Sequence, residues 1–500
     1  MQRRTFLRAA VGAGGAAALA QLGTGNTAAA AVDQSSVTPA GPTGGVVGVA
    51  TGDARRTIRV RSLGALQTAI DDARPGDRIE LVNGRYTTEA PLGIVGKAGE
   101  LGAPITVAAQ EVGRAEITGP SGFAVDNSSY VVLEGFRLTH ASTLRAPSNS
   151  HHIRFSRNHI ELPADAGNHW LNIDGNDCEV DYNTFTNRFN LGVWVSISGP
   201  SDGIAQRTWI HHNYFLNHQF DGSNGGEPIR LGLSHKQSYS AFAVVEFNLF
   251  EKADGDPEAV SVKSRDNVIQ YNTIVDSDGS IVLRHGHRNR VEGNLMLGGR
   301  SGIRFYGKDH VIVNNLVAHS TGSGLVIGSG NIEEDTDSTG NEQVDRVLMA
   351  FNTLVGNAVS ITGESQRPLG PRDSVVANNI VVGSGPQLVT MPQGDEGFLW
   401  EGNILHGAPP GDIPGTGGLE VDPRLVEDRH GIFRIGPDSP AVNAAVGSYP
   451  TVTLDLDLRA RSGIKDVGAD EYTTTPGPLR RPLTSADVGP YAAPHQGATS

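Results

Sequence analysis

The chain has 500 residues, including 64 Gly and 27 Pro, with 19% charged and 6% aromatic residues, a net charge of −14 and one cysteine, Cys178. That glycine content is well above the roughly 7% of average proteins, which argues against a helical bundle and for strands and turns. The lone cysteine excludes a disulfide scaffold, and the acidic balance excludes nucleic acid as a partner.

The N-terminus reads MQRRTFLRAAVGAGGAAALAQLG, with Arg3 and Arg4 ahead of Phe6-Leu7, and a run of alanines ends at Ala31. This pattern predicts a twin-arginine export signal over residues 1–31 and a secreted mature protein. The stretch Val11–Leu22 is too short and glycine-rich to span a bilayer. Removing the signal, with its three arginines and no acid, takes the net charge from −14 to −17. No later segment has the length and apolarity of a membrane helix, so the mature chain is expected off the membrane, as a monomer. Residues 32–55, rich in Ser, Thr, Pro and Gly, read as a linker, and residues 474–500 as an irregular Pro-rich tail.

Next along the chain, SLGALQTAIDDARPGD predicts an amphipathic helix stopped at Pro75-Gly76, followed by the strand RIELVNGRY. Beyond it a short pattern, apolar-x-x-Asn-x-apolar, recurs as FSRNHI, VDYNTF, IHHNYF, VEFNLF, IQYNTI, VEGNLM, IVNNLV, MAFNTL, VANNIV and WEGNIL. Its asparagines, Asn158, Asn183, Asn213, Asn248, Asn272, Asn294, Asn315, Asn352, Asn379 and Asn403, are spaced by 21 to 37 residues. A floor of 21 to 25 with excursions is the signature of a solenoid with loop insertions. One unit cannot bury its apolar face alone, whereas coils stacked roughly 4.8 Å apart can, with asparagines laddering at one turn. Leucine-rich repeats share the period but need a Leu-rich consensus that is absent. The expected fold is all-β, a single-stranded right-handed parallel β-helix over residues 56–473, its open end capped by the helix. DPRLVEDRHGIFRIGPDSPAVNAA and DVGADEY are expected to form the closing turns.

The densest polar cluster lies between Asp221 and His310, in DGSNGGEPIRLG, DPEAVSVKSRDN, LRHGH and GIRFYGKDH. Lys263 and Arg284 are one short coil apart, which predicts α-carbons side by side on one outer face, where two cations repel unless a function or an anion compensates. Asp256 and Glu258 are two apart on one strand and point to the same side. With the Asn224 side-chain carbonyl they would make an all-oxygen site suited to Ca²⁺. Solvated carboxylates and unrelated surface salt bridges are the competing readings. Between Lys263 and His310, eight Lys/Arg face five acids; such a basic strip on an acidic protein suits an anionic chain.

EAVSVKSRDN, then LRHGH 21 residues on, preceded by NGGEPIRLG and followed by GIRFYGKDH, resembles polysaccharide lyase family 6, the family of chondroitinase B and many alginate lyases. The similarity runs from LQTAIDDARPGDRIELVNGRY to DVGADEY. It implies a right-handed parallel β-helix and β-elimination on uronic-acid polysaccharides. It also implies Lys263 as Brønsted base, Arg284 as general acid, and Asn224, Asp256 and Glu258 as calcium ligands. The chain carries Asp256-Pro257-Glu258 where the family often has Glu-x-Glu.

The residues support that chemistry. A uronate C5 proton becomes removable only when the adjacent carboxylate is neutralised, because charge builds on it in the transition state. Guanidinium is a very weak acid, so Arg284 is expected to stabilise charge on the leaving O4 while His285 or water delivers the proton. Counting from Lys263 through Arg284 puts Arg304 in the outward stack; aligning Gly286 with Gly307 instead puts Phe305 there and Tyr306 beside His285. Arg304 and Tyr306 are candidate substrate contacts, as are Arg230, His285 and His310. The expected substrate is an anionic polysaccharide, alginate first and dermatan sulfate second. A β-helix glycoside hydrolase and a noncatalytic glycan-binding solenoid are the alternatives.

Overall fold

The computed structural model describes residue 48 and residues 54–220, 224–333, 339–475 and 477–493. The expected export signal and most of the expected linker lie outside these residues. Among the described residues no helix is long and apolar enough to cross a membrane.

Successive coils stack their strands into three parallel sheets, of 14, 10 and 14 strands, and neighbours within a sheet come from successive coils. Parallel crossovers are right-handed, so the chain is a right-handed parallel β-helix, as its repeats predict. The interior of the coils is one continuous core in which Phe155, Phe185, Phe215 and Phe250 occupy consecutive levels. Phe185, Phe215 and Phe250 stack with ring centroids 5.2 and 4.8 Å apart.

The helix α1 (Leu63–Asp71) starts at Ser62, whose hydroxyl accepts the Ala65 amide at 3.2 Å. Leu66 and Ile70 are fully buried against the first coils. Gln67 exchanges hydrogen bonds with the backbone of Gly93, at 2.9 and 2.8 Å, and so ties the cap to the coil it covers. The helix ends before the predicted stop at Pro75: the residue before a proline is disfavoured in the α region, and the Asp77 carboxylate takes the Arg74 amide at 2.9 Å.

The ten repeat asparagines form one unbroken ladder. Asn248, for example, donates through Nδ2 to Ile210 O at 2.9 Å, and its Oδ1 accepts the Asn213 amide at 2.9 Å. All ten are at most 1% exposed. The residue before each, from Arg157 through Tyr182, His212, Phe247 and Tyr271 to Gly402, has φ between 51° and 64°. For a non-glycine residue that conformation costs about 1–2 kcal/mol, which the ladder's buried hydrogen bonds offset. Outside the coil the same positions stack: Tyr182 on His212 at 4.8 Å, His212 on Phe247 at 5.3 Å and Phe247 on Tyr271 at 5.5 Å.

The last coil strand is Gly418–Glu420. The motifs beyond it cover the flank of the solenoid instead of closing its end. Ile432, Leu456 and Ala469 pack on Leu295 and Leu316, and Tyr449 and Val452 pack beside Val311 and Phe351. Buried Arg461 pins this segment by donating to Asn314 Oδ1 at 2.9 Å. The irregular tail follows the aromatic stack: Leu483 N meets Thr273 Oγ1 at 3.0 Å, and Arg157 reaches Pro490 O and Ala492 O at 2.9 Å.

Candidate active site

Five strands of the 10-stranded sheet carry the polar cluster: β1 (Val193–Ile197), β2 (Ile229–Gly232), β3 (Glu258–Lys263), β4 (Ser280–His285) and β5 (Ile303–Phe305). Alternation sends Val260, Val262, Ile281, Leu283, Ile303 and Phe305 into the core. Arg230, Ser261, Val282 and Arg304 share one outward row.

Lys263 opposes His285, not Arg284. The register between β3 and β4 slips by one residue after Val262, so Arg284 falls at the irregularity. Equal spacing predicted a direct Lys263–Arg284 pair, but an extra residue enters at the strand end, before Gly286 turns the corner at φ 88°. Both cations nevertheless reach the same end of the sheet.

Lys263 Nζ lies 3.2 Å from Glu227 Oε1. Among the described residues no carboxylate pairs with Arg284, whose guanidinium sits 5.6 Å from the centre of the Tyr306 ring.

The two candidate alignments of the next coil both give way. Arg304 opposes Val282 and Phe305 opposes Leu283, which leaves Tyr306 to follow beside Arg284. Arg304 does face outward, where its Nη2 donates to Glu258 Oε1 at 2.8 Å. Tyr306 is only 1% exposed. Its hydroxyl donates to Glu364 at 2.9 Å, and Arg284, Arg304 and Arg367 crowd its ring. It is the platform under three cations.

His285 is buried, and burial, then Arg284 and Lys263, push its pKa down to about 3. An imidazole held neutral in this way is a poor proton donor. His310, equally buried, accepts the Asn289 amide at Nδ1 and donates from Nε2 to Tyr306 O at 2.7 Å. It fastens the coil corner. Arg230 does reach the surface row, donating to His169 Nε2 at 2.8 Å and Ser196 Oγ at 3.3 Å.

Asp256 and Glu258 are nearly buried, as is Glu227, which the sequence reading passed over although it stands inside the NGGEPIRLG motif. Glu227 precedes β2 in a turn, where strand alternation gives no direction for a side chain. Asp256 accepts the amides of Gly225 at 2.7 Å and Glu258 at 3.0 Å. Its carboxyl is pushed up to about 6 by burial and by the charges of Glu227 and Glu258. Asn224 is exposed in the same loop.

The set has the donor chemistry of a hard-cation site, though its ligand atoms are less closely gathered than those of two other groups, and Ser261, Arg304 and Lys263 already hold several of its oxygens. Every donor is oxygen, Glu227 Oε2 is buried without a partner, and three carboxylates face two cations. Glu227, Asp256 and Glu258 would hold it, with Asn224 completing the rim. The departure from Glu-x-Glu shortens one carboxylate without removing it. Two tighter groups, Glu179–Asp181–His211 and Asp455–Asp457–Asp470, lie away from this sheet. Arg154 neutralises the first and Arg434 the second.

A right-handed parallel β-helix that sets a buried acidic oxygen cluster beside partly buried cations on one sheet is the architecture of this chain. The family described as chondroitinase B matches residues 60–366, and the chain belongs to it, within polysaccharide lyase family 6.

Comparison with curated proteins finds no match. Among solved structures, the PL6 alginate lyase AlyGC is 26% identical over 76% of this chain, with a TM-score of 0.69. The chain spans 55% of the length of AlyGC. A mannuronic-acid-specific family 6 lyase from human gut microbiota is 25% identical over 70% of this chain and 86% of its own, with a TM-score of 0.62. A PL6 alginate lyase solved with a trisaccharide, 20% identical over 88% of this chain and 95% of its own with a TM-score of 0.67, shares the fold.

Proposed function

We propose that the protein cleaves a uronic-acid polysaccharide by β-elimination, with alginate as its substrate. The observation that carries this is the convergence of Lys263 and Arg284 on one end of the sheet, beside the Glu227–Asp256–Glu258 cluster. Arg284 and Arg230 hold the polyanion, their charge-assisted hydrogen bonds replacing water around its carboxylates. Calcium, when bound, would neutralise the uronate carboxylate beside the reacting carbon. Lys263, once deprotonated, takes the C5 proton; the C5–H electrons form the C4–C5 double bond, and the C4–O4 bond breaks toward the leaving sugar. Arg284 stabilises the charge that develops on O4, and water returns a proton to it.

Alginate is favoured by the two similar structures at 25–26% identity, whose descriptions name alginate lyase and mannuronic acid. Dermatan sulfate is the second reading, because the matching family carries the name of chondroitinase B. Export through the twin-arginine route belongs to the same proposal and rests on Arg3-Arg4 and Phe6-Leu7.

Incubated with alginate or dermatan sulfate, the protein should release an ultraviolet-absorbing unsaturated sugar. Saturated reducing ends alone would instead support hydrolysis and overturn the elimination.

A further inference from the structure

The turn after Arg188 joins the strand Thr184–Arg188 of one 14-stranded sheet to β1 of the catalytic sheet. It holds Phe189 62% exposed to solvent. Arg188 anchors the turn from inside and is itself only 1% exposed, with no carboxylate partner among the described residues. Its guanidinium donates to the carbonyls of Leu191 at 2.8 Å, Gly167 at 3.1 Å and Val193 at 3.2 Å. Trp170 lies beneath it, 5.3 Å away. Burying a cation without a counter-ion is unfavourable. Here the hydrogen bonds to the turn's carbonyls offset that cost and hold the turn, which presents an aromatic ring to water. A plain connection between strands needs neither.

Phe189 borders a cavity of about 500 Å³ whose walls include Arg85, Glu116, Arg137, Glu161 and Asn187. Arg137 pairs with Glu161 at 2.9 Å, Arg85 lies 3.7 Å from Glu116, and Asn187 donates to Glu161 at 3.0 Å. The walls are thus close to charge-balanced and held in place by one another. Planar polar groups around an exposed ring suit a pyranose: its C–H face lies on the phenyl, and its hydroxyls exchange hydrogen bonds with the guanidinium and carboxylate groups. The largely exposed Arg85 can take a uronate carboxylate. On the other side of the same turn, Leu191 packs against Gly225, so close that a Cβ there would lie 2.8 Å from Leu191 Cδ1. Gly225 adjoins Asn224 and donates to Asp256, so a single turn separates this cavity from the acidic cluster.

We infer that the cavity is an additional subsite for a uronic-acid residue of the same polysaccharide, beyond the sugars over Lys263 and Arg284. The identity of the sugar rests on the lyase reading. Initial rates of the full chain and of the separate variants Phe189→Ala and Arg85→Gln, on polymeric alginate and on a trisaccharide, test it. Both variants are expected to raise KM for the polymer about fivefold, the worth of one stacking or polar contact, without a matching rise for the trisaccharide. Unchanged polymer KM in both variants, or equal losses on both substrates, overturns the subsite. If the unsubstituted protein releases no unsaturated product from any uronate polymer, the lyase reading fails. Calorimetry with alginate oligosaccharides then decides the cavity: weaker binding by Phe189→Ala supports it, and equal or absent binding overturns it.

Discussion

Lys263 Nζ and Glu227 Oε1 lie 3.2 Å apart, and the other oxygen of that carboxylate is buried with no partner. One residue of the acidic cluster therefore also holds the amine assigned to proton abstraction. Charge at the metal side and at the base is coupled through a single side chain.

Lys263→Ala should lower kcat by about 10²–10⁴, the usual contribution of a general base, with the unfolding transition little changed. The slope of ultraviolet absorbance against time measures it. Near-normal turnover would remove Lys263 from the chemistry.

Glu227→Gln should weaken calcium binding by at least about tenfold, since losing a ligand costs no less than losing a group that only orients one. Titration calorimetry on the chelated protein reads this directly, without any activity assay. Activity that survives EDTA would reject calcium but leave the elimination standing.

Asn248→Ala should destabilise the fold by about 3 kcal/mol, since the ladder loses a buried amide and leaves the Asn213 N–H and the Ile210 carbonyl unsatisfied. Denaturant unfolding checks the size of the loss. A change below about 1 kcal/mol would mean that water replaces the ladder contact.

Burial, then the neighbouring charges of Asp457 and Asp455 working against Arg434, push the Asp470 pKa up to about 7. A raised carboxyl favours the folded state while protonated. Its contribution is complete below the unfolded pKa, near 4, and is lost as pH rises through about 7. Asp470→Asn should flatten this part of the stability profile between pH 4 and 7. Buried His140 and His310, both pushed down to about 4, act in the opposite sense. Their contribution is present above about 6.5 and is lost as pH falls through 4. The two arms are separable by unfolding measurements on Asp470→Asn across this range.

The solenoid was legible because it is written locally. Each Asn248-type residue sits in a short motif, and its partner one coil away carries the same motif, so the period alone aligns them. Lys263, Arg284 and Glu258 were legible for a related reason, since coils of about 21 residues bring them onto adjacent strands of one sheet, but Asp256 lies in the bend before Glu258–Lys263 and not on the strand that the i, i+2 spacing predicted. Of the cations between Lys263 and His310, Lys263, Arg284 and Arg304 fall on one sheet, whereas Arg288, Arg290 and Lys308 pair with Asp266, Glu292 and Glu342 elsewhere, which net charge does not foretell.

What the tertiary structure decided lies at the coil corners, where alternation fails. The register slip after Val262 set His285, not Arg284, opposite Lys263. The turn before β2 brought in Glu227, and the corner at Gly307 buried Tyr306 and His310. The sequence by itself determined the stacked coils, because hydrogen-bond period and side-chain alternation are short-range. Which polar groups face the ligand and which are folded under it depends on bulges and turns between coils, and those are set only when the strands pack.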